Sequence, residues 1–522
     1  MIREISRRKC LRLWLCKPEY MGRTKWENRF VLLRFRKKNY MMFLKDLKRF
    51  KMERLYDKLK AYSESDFYAF HMPGHKRNKA LLGIELPYDL DITEIDGFDD
   101  LHHADGILKE EQERAARVFG AEESHFLVNG STAGILSAVM GCTHRGDKIL
   151  VARHCHKSIY HAIYMNGLVP RYVYPEFDIS MHMNGEISKE DVAKALAAEP
   201  DIKAVVIVSP NYDGVVSDVK GIAEVAHSYR IPLIVDEAHG PHFGFHPAFP
   251  GRANDLGADV VINSLHKTLP SLTQTAILHI NGKLANRRRI KKYLDMLQSS
   301  SPSYIFMASL DACVDFLDGK CEEAFELYVE RLQKFREELK PLQHLQILRT
   351  EHYDISKVVI STANANITSP ELADRLRKEY HLEMEMTGGT YVLAMTTVAD
   401  TQEGLDRLKA ALLEIDGQLE AKTAVSGSIE ISGELPRLEQ YFTPQEAADR
   451  EEDGEAEEIP WKESEGHISL EYAYLYPPGS PVIVPGERIS REAVELLCYY
   501  ETQNLQIEGI QTEGKIKVWK HE

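Results

Sequence analysis

Five short apolar runs separated by helical stretches constrain this chain more than any other feature. They lie at Lys148–Val151, Val169–Tyr174, Ala204–Val208, Leu233–Val235 and Val260–Asn263, with helical patterns such as Ser188–Ala198 and Val219–Ser228 between them. Runs of this length without polar alternation read as strands buried on both faces, and parallel strands need a crossover to connect them. The alternation predicts an α/β fold, a parallel sheet covered by helices on both faces.

Polar residues stand where two of these runs end. Asp236 closes Ile231–Val235, and thirty-one residues later Lys267 follows Ala258–Ile262 within Ser264-Leu265-His266-Lys267. Ligands of open α/β sheets bind beyond the carboxyl ends of the strands, so one crevice is expected to hold both side chains. An amine able to form a Schiff base and an acid partner for a pyridine nitrogen are what a pyridoxal phosphate site needs. Upstream, a short strand at His125–Val128 leads into Asn129-Gly130-Ser131-Thr132-Ala133-Gly134 and an apolar helix, a geometry suited to phosphate. Ser131, Thr132, Ser264 and His266 are candidates to surround that anion; each taken alone also reads as a capping or turn residue. His156, after Lys148–Val151, is a candidate to stack on the cofactor ring, with a core or surface histidine as the alternative. For Asp236 the alternative is a strand-end or capping aspartate, and for Lys267 an ordinary surface amine.

Other readings of the same letters fail on context. Asp236-Glu237-Ala238-His239 also occurs in nucleic-acid helicases, but those require an upstream G-x-x-x-x-G-K-[ST] loop that this chain lacks. His239, His242 and His246 have a spacing that suits a metal, yet Gly240, Pro241 and Gly244 break the helix that would present them on one face. No metal is expected. Residues 1–53 hold 17 Lys and Arg against 5 Asp and Glu; with this excess of 12 removed from a total of −15, the rest of the chain carries −27. So acidic a body argues against nucleic acid as a partner. The longest apolar runs are far below the ~20 residues that cross a bilayer, so no transmembrane helix and no membrane partner are expected. Seven scattered cysteines without a C-x-x-C pair point to a reducing, cytoplasmic setting.

A chain of 522 residues is expected to form two or three domains. Residues 1–51 read as a basic extension, poorly ordered or upstream of a true start near Met52. Residues 52–108 read as an N-terminal arm, with a helix over Glu53–Ser63 that gives way to a loop at His71–Lys76. The large sheet domain covers 109–330, opening on a helix stopped by Gly120. A long helical region over Leu310–Leu339 leads out of it. Residues 331–420 read as a small α/β domain with the order β-α-β-β-α, from Val358–Ala363, Pro370–Glu379, Glu383–Met386, Tyr391–Met395 and Thr401–Leu413. A C-terminal domain covers 421–522, with the acidic stretch 446–458 as a solvated linker or loose helix.

Taken together, seven strings resemble the major domain of the bacterial ornithine/lysine/arginine decarboxylases. They are F-H-M-P-G-H-K-R at Phe70–Arg77, D-I-T-E-I-D-G-F-D-D-L at Asp91–Leu101, F-L-V-N-G-S-T-A-G at Phe126–Gly134, H-K-S at His156–Ser158, V-D-E-A-H-G at Val235–Gly240, S-L-H-K-T-L-P at Ser264–Pro270, and Y-P-P-G-S-P with P-G-E within Tyr476–Glu487. The resemblance runs from about residue 52 to the C-terminus and is to the shorter branch, which lacks an N-terminal wing domain. It implies a pyridoxal phosphate-dependent transferase of fold type I, with a mainly parallel seven-stranded sheet, a small α/β domain and a C-terminal domain. It implies Lys267 as the Schiff-base lysine, Asp236 on the pyridine nitrogen, His156 on one ring face and Ala238 on the other. Ser131, Thr132, Ser264 and His266 would surround the phosphate, with His239 also at the cofactor.

The reaction implied by the resemblance is decarboxylation of a basic amino acid, arginine in preference to lysine or ornithine, to a polyamine precursor and CO2. Glu471, Glu487 and the acids of Asp91–Asp100 are candidates to receive the distal cation of the substrate. Sites of this fold commonly lie at a dimer interface, so a homodimer or higher even oligomer is expected, with Ser301–Tyr304 serving the neighbouring subunit. Another pyridoxal phosphate reaction, such as aminotransfer, and a catalytically silent scaffold on the same fold are the alternatives.

Overall fold

The computed structural model describes residues 53–522 except 82, 179–182, 349–351, 423–433, 476–478, 503–504, 506 and 521–522. The basic extension at 1–51 lies outside the described residues. Seven strands form the main sheet: β1 (Glu123–Leu127), β2 (Lys148–Ala152), β3 (Val169–Val173), β4 (Val205–Val208), β5 (Leu233–Asp236), β6 (Val260–Asn263) and β7 (Ala276–Ile280). Across the sheet they run β1-β7-β6-β5-β4-β2-β3. Strands β2 to β6 pair in parallel, whereas β7 is antiparallel to both of its neighbours, β6 and β1. Every residue of β4, β5, β6 and β7 is buried, which is why these runs lack polar alternation.

Strand β7 is missing from the sequence reading, for a physical reason. An antiparallel strand can follow its neighbour through a short connection, here residues 264–275, without the helical crossover that marks the parallel strands. Its Ala-Ile-Leu-His-Ile run therefore lacks the long preceding crossover that sets a parallel strand apart.

Helices α1 (Leu55–Ser63) and α2 (Ile107–Phe119) precede the sheet, and α3 (Gly130–Cys142), α4 (Lys157–Met165), α5 (Lys189–Ala198), α6 (Val219–Ser228) and α7 (Arg287–Leu297) follow its strands. One core joins the sheet to α3–α7 through residues such as Ile135, Ile159, Leu196, Ile222 and Ile290. The second joins the other face to α2 through Phe126, Ile277, Leu108 and Phe119. Phe126 and Leu127 are neighbours on β1 but enter different cores, as the twofold alternation of a strand requires. Helix α3 approaches α7 so closely that a Cβ on Gly141 would stand 2.9 Å from the backbone N and Cα of Ile290.

The long helical region is two helices, α8 (Tyr304–Leu317) and α9 (Glu322–Glu338), rather than one. Gly319, at φ 79°, takes the left-handed conformation that ends a helix at little cost. Ser303 caps the start of α8, its hydroxyl accepting from the N–H of Phe306. Beyond α9, strands β8 (Gln346–Ile347), β9 (Lys357–Ser361), β10 (Met386–Thr387) and β11 (Tyr391–Met395) form an antiparallel sheet in the order β8-β9-β11-β10. Helices α10 (Ser369–Tyr380) and α11 (Gln402–Asp416) accompany it. Val358, Leu376 and Leu412 of this layer belong to the second core, so it is fastened to the large sheet by apolar packing.

Residues 446–458 are neither a linker nor loose. Helix α12 (Pro444–Glu452) begins with a capping box between Thr443 and Glu446, and Ala456–Pro460 pairs antiparallel with Lys515–Trp519. Lys517 meets Glu451, and Arg450 meets Glu455. The cation and the strand partner come from more than fifty residues downstream, beyond the reach of a local pattern.

Overpacking a tight helix contact typically costs about 1–3 kcal/mol. Gly141→Leu is therefore expected to lower the thermal unfolding midpoint, because the α3–α7 contact has no room for a side chain. An unchanged midpoint in calorimetry would show that the two helices part freely.

Candidate active site

The segments that follow β1, β2, β4, β5 and β6 line a cavity of about 640 Å³. Asn129–Thr132, His156, Asn211–Asp213, Asp236, Ala238, His239, His266 and Lys267 all face it. Parallel pairing brings them together: Val208 lies opposite Asp236 and Asp236 opposite Ile262, so the strands end at one level.

After β6 the chain makes one helical turn, Leu265–Thr268, closed by the N–H of Leu269 on the carbonyl of Leu265. That turn carries Lys267, whose Nζ lies 2.9 Å from Nε2 of His239. Burial holds the Lys267 pKa below the usual lysine value, against the opposing charges of Asp236 and Glu385. Asp236 is buried at the end of β5, and its carboxylate accepts from the Ala238 N–H at 3.2 Å. Burial pushes its pKa up, while Lys267 and that N–H pull it down.

His156 caps α4. Its Nδ1 accepts from the N–H of Ser158 at 3.2 Å and lies 2.8 Å from the Ser158 hydroxyl, so the ring proton sits on Nε2. Burial, then the charges of Lys267 and Lys157, lower its pKa to about 4. The ring is neutral near pH 7. His266 is ordered in the opposite sense: its Nδ1 lies 2.8 Å from the carbonyl of Thr275, which can only accept. The proton is on Nδ1 and the lone pair on Nε2. Burial lowers this pKa as well, so His266 binds an anion only after taking up a proton at Nε2.

Three observations test whether pyridoxal phosphate suits these residues. Helix α3 starts at the cavity without a side-chain cap, Asn129 using its Oδ1 to accept from the N–H of Ser299, so the first-turn N–H groups beside Ser131 and Thr132 face the space. The Oγ of Ser264 is buried without a partner, although Ser264 itself does not line the cavity. Asp236 keeps acceptor capacity in the same cavity as the partly buried Lys267. An anion site, an acid and a nucleophile in one cavity fit the cofactor.

Glu471 and Glu487 are not brought to this cavity. Oε2 of Glu487 accepts from Arg153 Nη2 at 2.9 Å and from the N–H of Val484 at 2.8 Å, in a fully buried ion pair that ties the end of β2 to the C-terminal region. Glu471 accepts from the N–H groups of Gln511 and Lys517 at 3.2 and 2.9 Å. Both carboxylates hold local structure because burial without such partners is costly. Within Asp91–Asp100, Asp91 meets His75 and Asp99 accepts from the N–H groups of Asp105, Gly106 and Leu108. His242 joins Thr268 and Asp354, and His246 joins Glu326.

The sequence reading missed Tyr212, Asp213 and Glu385 in the cavity wall and Lys357 behind it. For Tyr212 and Asp213 a signal was present, since they follow β4 as Asp236 ends β5. No local signal marks Lys357 or Glu385, which arrive from the small layer. Lys357 is fully buried, with Nζ 2.8 Å from Nδ1 of His239.

Comparison with known proteins places the chain among relatives. Residues 53–413 match the family model "Orn/Lys/Arg decarboxylase, major domain", and residues 433–514 match its C-terminal domain. The chain is 34% identical over 471 residues to an arginine decarboxylase of Bacillus subtilis, covering 87% of this chain and 95% of that one. It is 25% identical to a lysine decarboxylase of Pseudomonas aeruginosa, covering 83% and 73%. Among solved structures, the constitutive lysine decarboxylase of Escherichia coli superposes with a TM-score of 0.77 at 21% identity, covering 95% of this chain and 85% of that one.

Breaking a buried ion pair on one side typically costs about 3–5 kcal/mol. Glu487→Gln, which strands the Arg153 guanidinium, is expected to cut the urea unfolding midpoint accordingly. A midpoint equal to the parent's would show that Arg153 finds another acceptor.

Proposed function

The chain belongs to the Orn/Lys/Arg decarboxylase family, and on that footing we propose that its cavity decarboxylates arginine in preference to lysine or ornithine. The general activity is pyridoxal phosphate-dependent decarboxylation of a basic amino acid. The observation that carries the site assignment is the partly buried amine of Lys267 just after β6, sharing one cavity with Asp236 at the end of β5 and the uncapped start of α3.

When bound, pyridoxal phosphate supplies a carbonyl carbon for amines and an electron-poor ring that takes up the electron pair left by departing CO2. In this reading Lys267 is the amine that holds the cofactor covalently, and burial favours its neutral, nucleophilic form. Asp236 would hold the proton on the pyridine nitrogen, and a carboxylate paired in this way would stay ionised. His156 would lay its neutral ring against one face of the cofactor, with Ala238 on the other. Ser131, Thr132 and the N–H groups of α3 would hold the phosphate, with His266 donating once protonated and Ser264 supporting the same end. His239 sits against Lys267.

Support for a basic substrate comes from Glu385, which is exposed at the cavity with the Tyr212 hydroxyl donating to it. A carboxylate held in this way matches the planar, forked guanidinium of arginine. Support for arginine over lysine comes from Bacillus relatives named arginine decarboxylase at 32–34% identity. We assign the protein to a reducing, cytoplasmic setting, in keeping with the buried free thiols of Cys155, Cys313 and Cys321. No helix among the described residues is long and apolar enough to cross a membrane. A homodimer accounts for the exposed Phe67, Tyr68, Phe70 and Met72 of the N-terminal arm.

CO2 release assayed with arginine, lysine and ornithine is expected to give arginine a kcat/KM advantage of about tenfold or more, worth ~1.4 kcal/mol. Equal or reversed values would remove the arginine assignment. Lys267→Ala is expected to abolish both CO2 release and the visible cofactor band; a band that survives would move the covalent role to another amine.

A further inference from the structure

His239 joins two lysines, the fully buried Lys357 and the partly buried Lys267. Its Nε2 lies 2.9 Å from Nζ of Lys267, and its Nδ1 lies 2.8 Å from Nζ of Lys357. Burial and the two lysine charges keep the imidazole far from protonation, so it carries one ring proton. A neutral imidazole can donate from one nitrogen and accept at the other, never accept at both. With both contacts made as hydrogen bonds, the lysine facing the ring N–H must therefore be a neutral amine. With one of the two lysines charged, two arrangements satisfy the count: either Lys357 is the ammonium and Lys267 the amine, or the reverse.

The acids around each amine favour the first arrangement, against burial, which weighs more heavily on Lys357. Lys357 faces Asp354 and Asp213 from buried positions and shares Glu385 with Lys267, while Lys267 has Asp236 as its other acid. Asp354 is held ionised by His242 and by the hydroxyl of Ser356 at 2.7 Å. Tyr212 adds its ring face, 5.8 Å from the Lys357 ammonium and 4.6 Å from the His239 ring. His156 and His266, the other titratable groups facing His239, are both shifted toward their neutral forms. The Lys357 stem is closely confined: a Cβ on Gly214, at φ 108°, would lie 2.7 Å from its Cγ.

We propose that Lys357 is a positioning residue for the Schiff-base lysine: its ammonium donates to Nδ1 of His239, which places the ring proton on Nε2, where it is donated to the lone pair of Lys267. The neutral, directed amine is the form that attacks a carbonyl. This inference rests on the reading of Lys267 as the cofactor lysine and adds the residue that holds it ready. Burial lowers the Lys357 pKa to about 8, so the arrangement holds below that pH and loosens above it.

Removing Lys357 frees His239 to take the opposite tautomer, whose Nε2 lone pair stabilises a protonated Lys267. The test uses full-length protein freed of cofactor and measures the rate at which the visible band grows on adding pyridoxal phosphate, across pH 6–10. Lys357→Met is expected to slow uptake about tenfold at pH 7 and to move the midpoint of the rate profile up by about one unit, one unit being tenfold in amine fraction. A purely structural lesion lowers the rate equally at all pH values, and an unmoved midpoint would overturn the proposal. Competitive acylation of the parent protein serves if the variant does not fold: Lys267 is expected to label at lower pH than Lys357, and the reverse order refutes the assignment. No visible band in the parent would instead refute Lys267 as the cofactor lysine.

Discussion

The parallel register of β4, β5 and β6 is the constraint on which the site depends. Val208, Asp236 and Ile262 lie side by side, so these strands release their chains at one edge of the sheet. The strands are buried throughout, and their ends are where polar side chains can leave the apolar layers for a shared cavity. A slip of one residue would turn Asp236 toward the opposite face, away from Lys267. Strand β7 completes the arrangement by running backward: its approach brings the Thr275 carbonyl to His266 and fixes the tautomer there.

Within that cavity, burial is the common cause of the electrostatics. It lowers the pKa values of His156, His239, His266 and Lys267 together, favouring the neutral forms of residues that carry charge more readily in water. Each ring takes its proton position from a different kind of partner: a backbone N–H for His156, a carbonyl for His266 and a pair of amines for His239. Elsewhere, burial is offset by opposite charge. Arg153 with Glu487, and Arg114 with Asp311, connect segments distant in sequence through ions that have left water.

Much of this was legible from local pattern. Asp236 and Lys267 stand out because each follows an apolar run, and Asn129–Thr132 because a small polar turn separates a strand from an apolar helix. Glu487 shows where such reasoning fails. An acidic residue in a C-terminal string looks available to a basic substrate until its fold partner, Arg153, is found more than three hundred residues upstream. The stretch 446–458 misleads in the same way, since the lysine and the strand that balance its charge lie near the end of the chain.

By itself, the sequence determined the layered α/β architecture, the strand ends that carry chemistry and the family, because periodicity and strand-end motifs are local and survive without a partner. Tertiary structure alone decided which charges meet. Lys357 opens a strand of a different layer, with nothing around it to mark it, and only folding sets its amine 2.8 Å from the histidine that touches Lys267. Hydrogen-bond direction and protonation depend on distances of a few ångströms between segments far apart in the chain, and those distances exist only once the layers have packed.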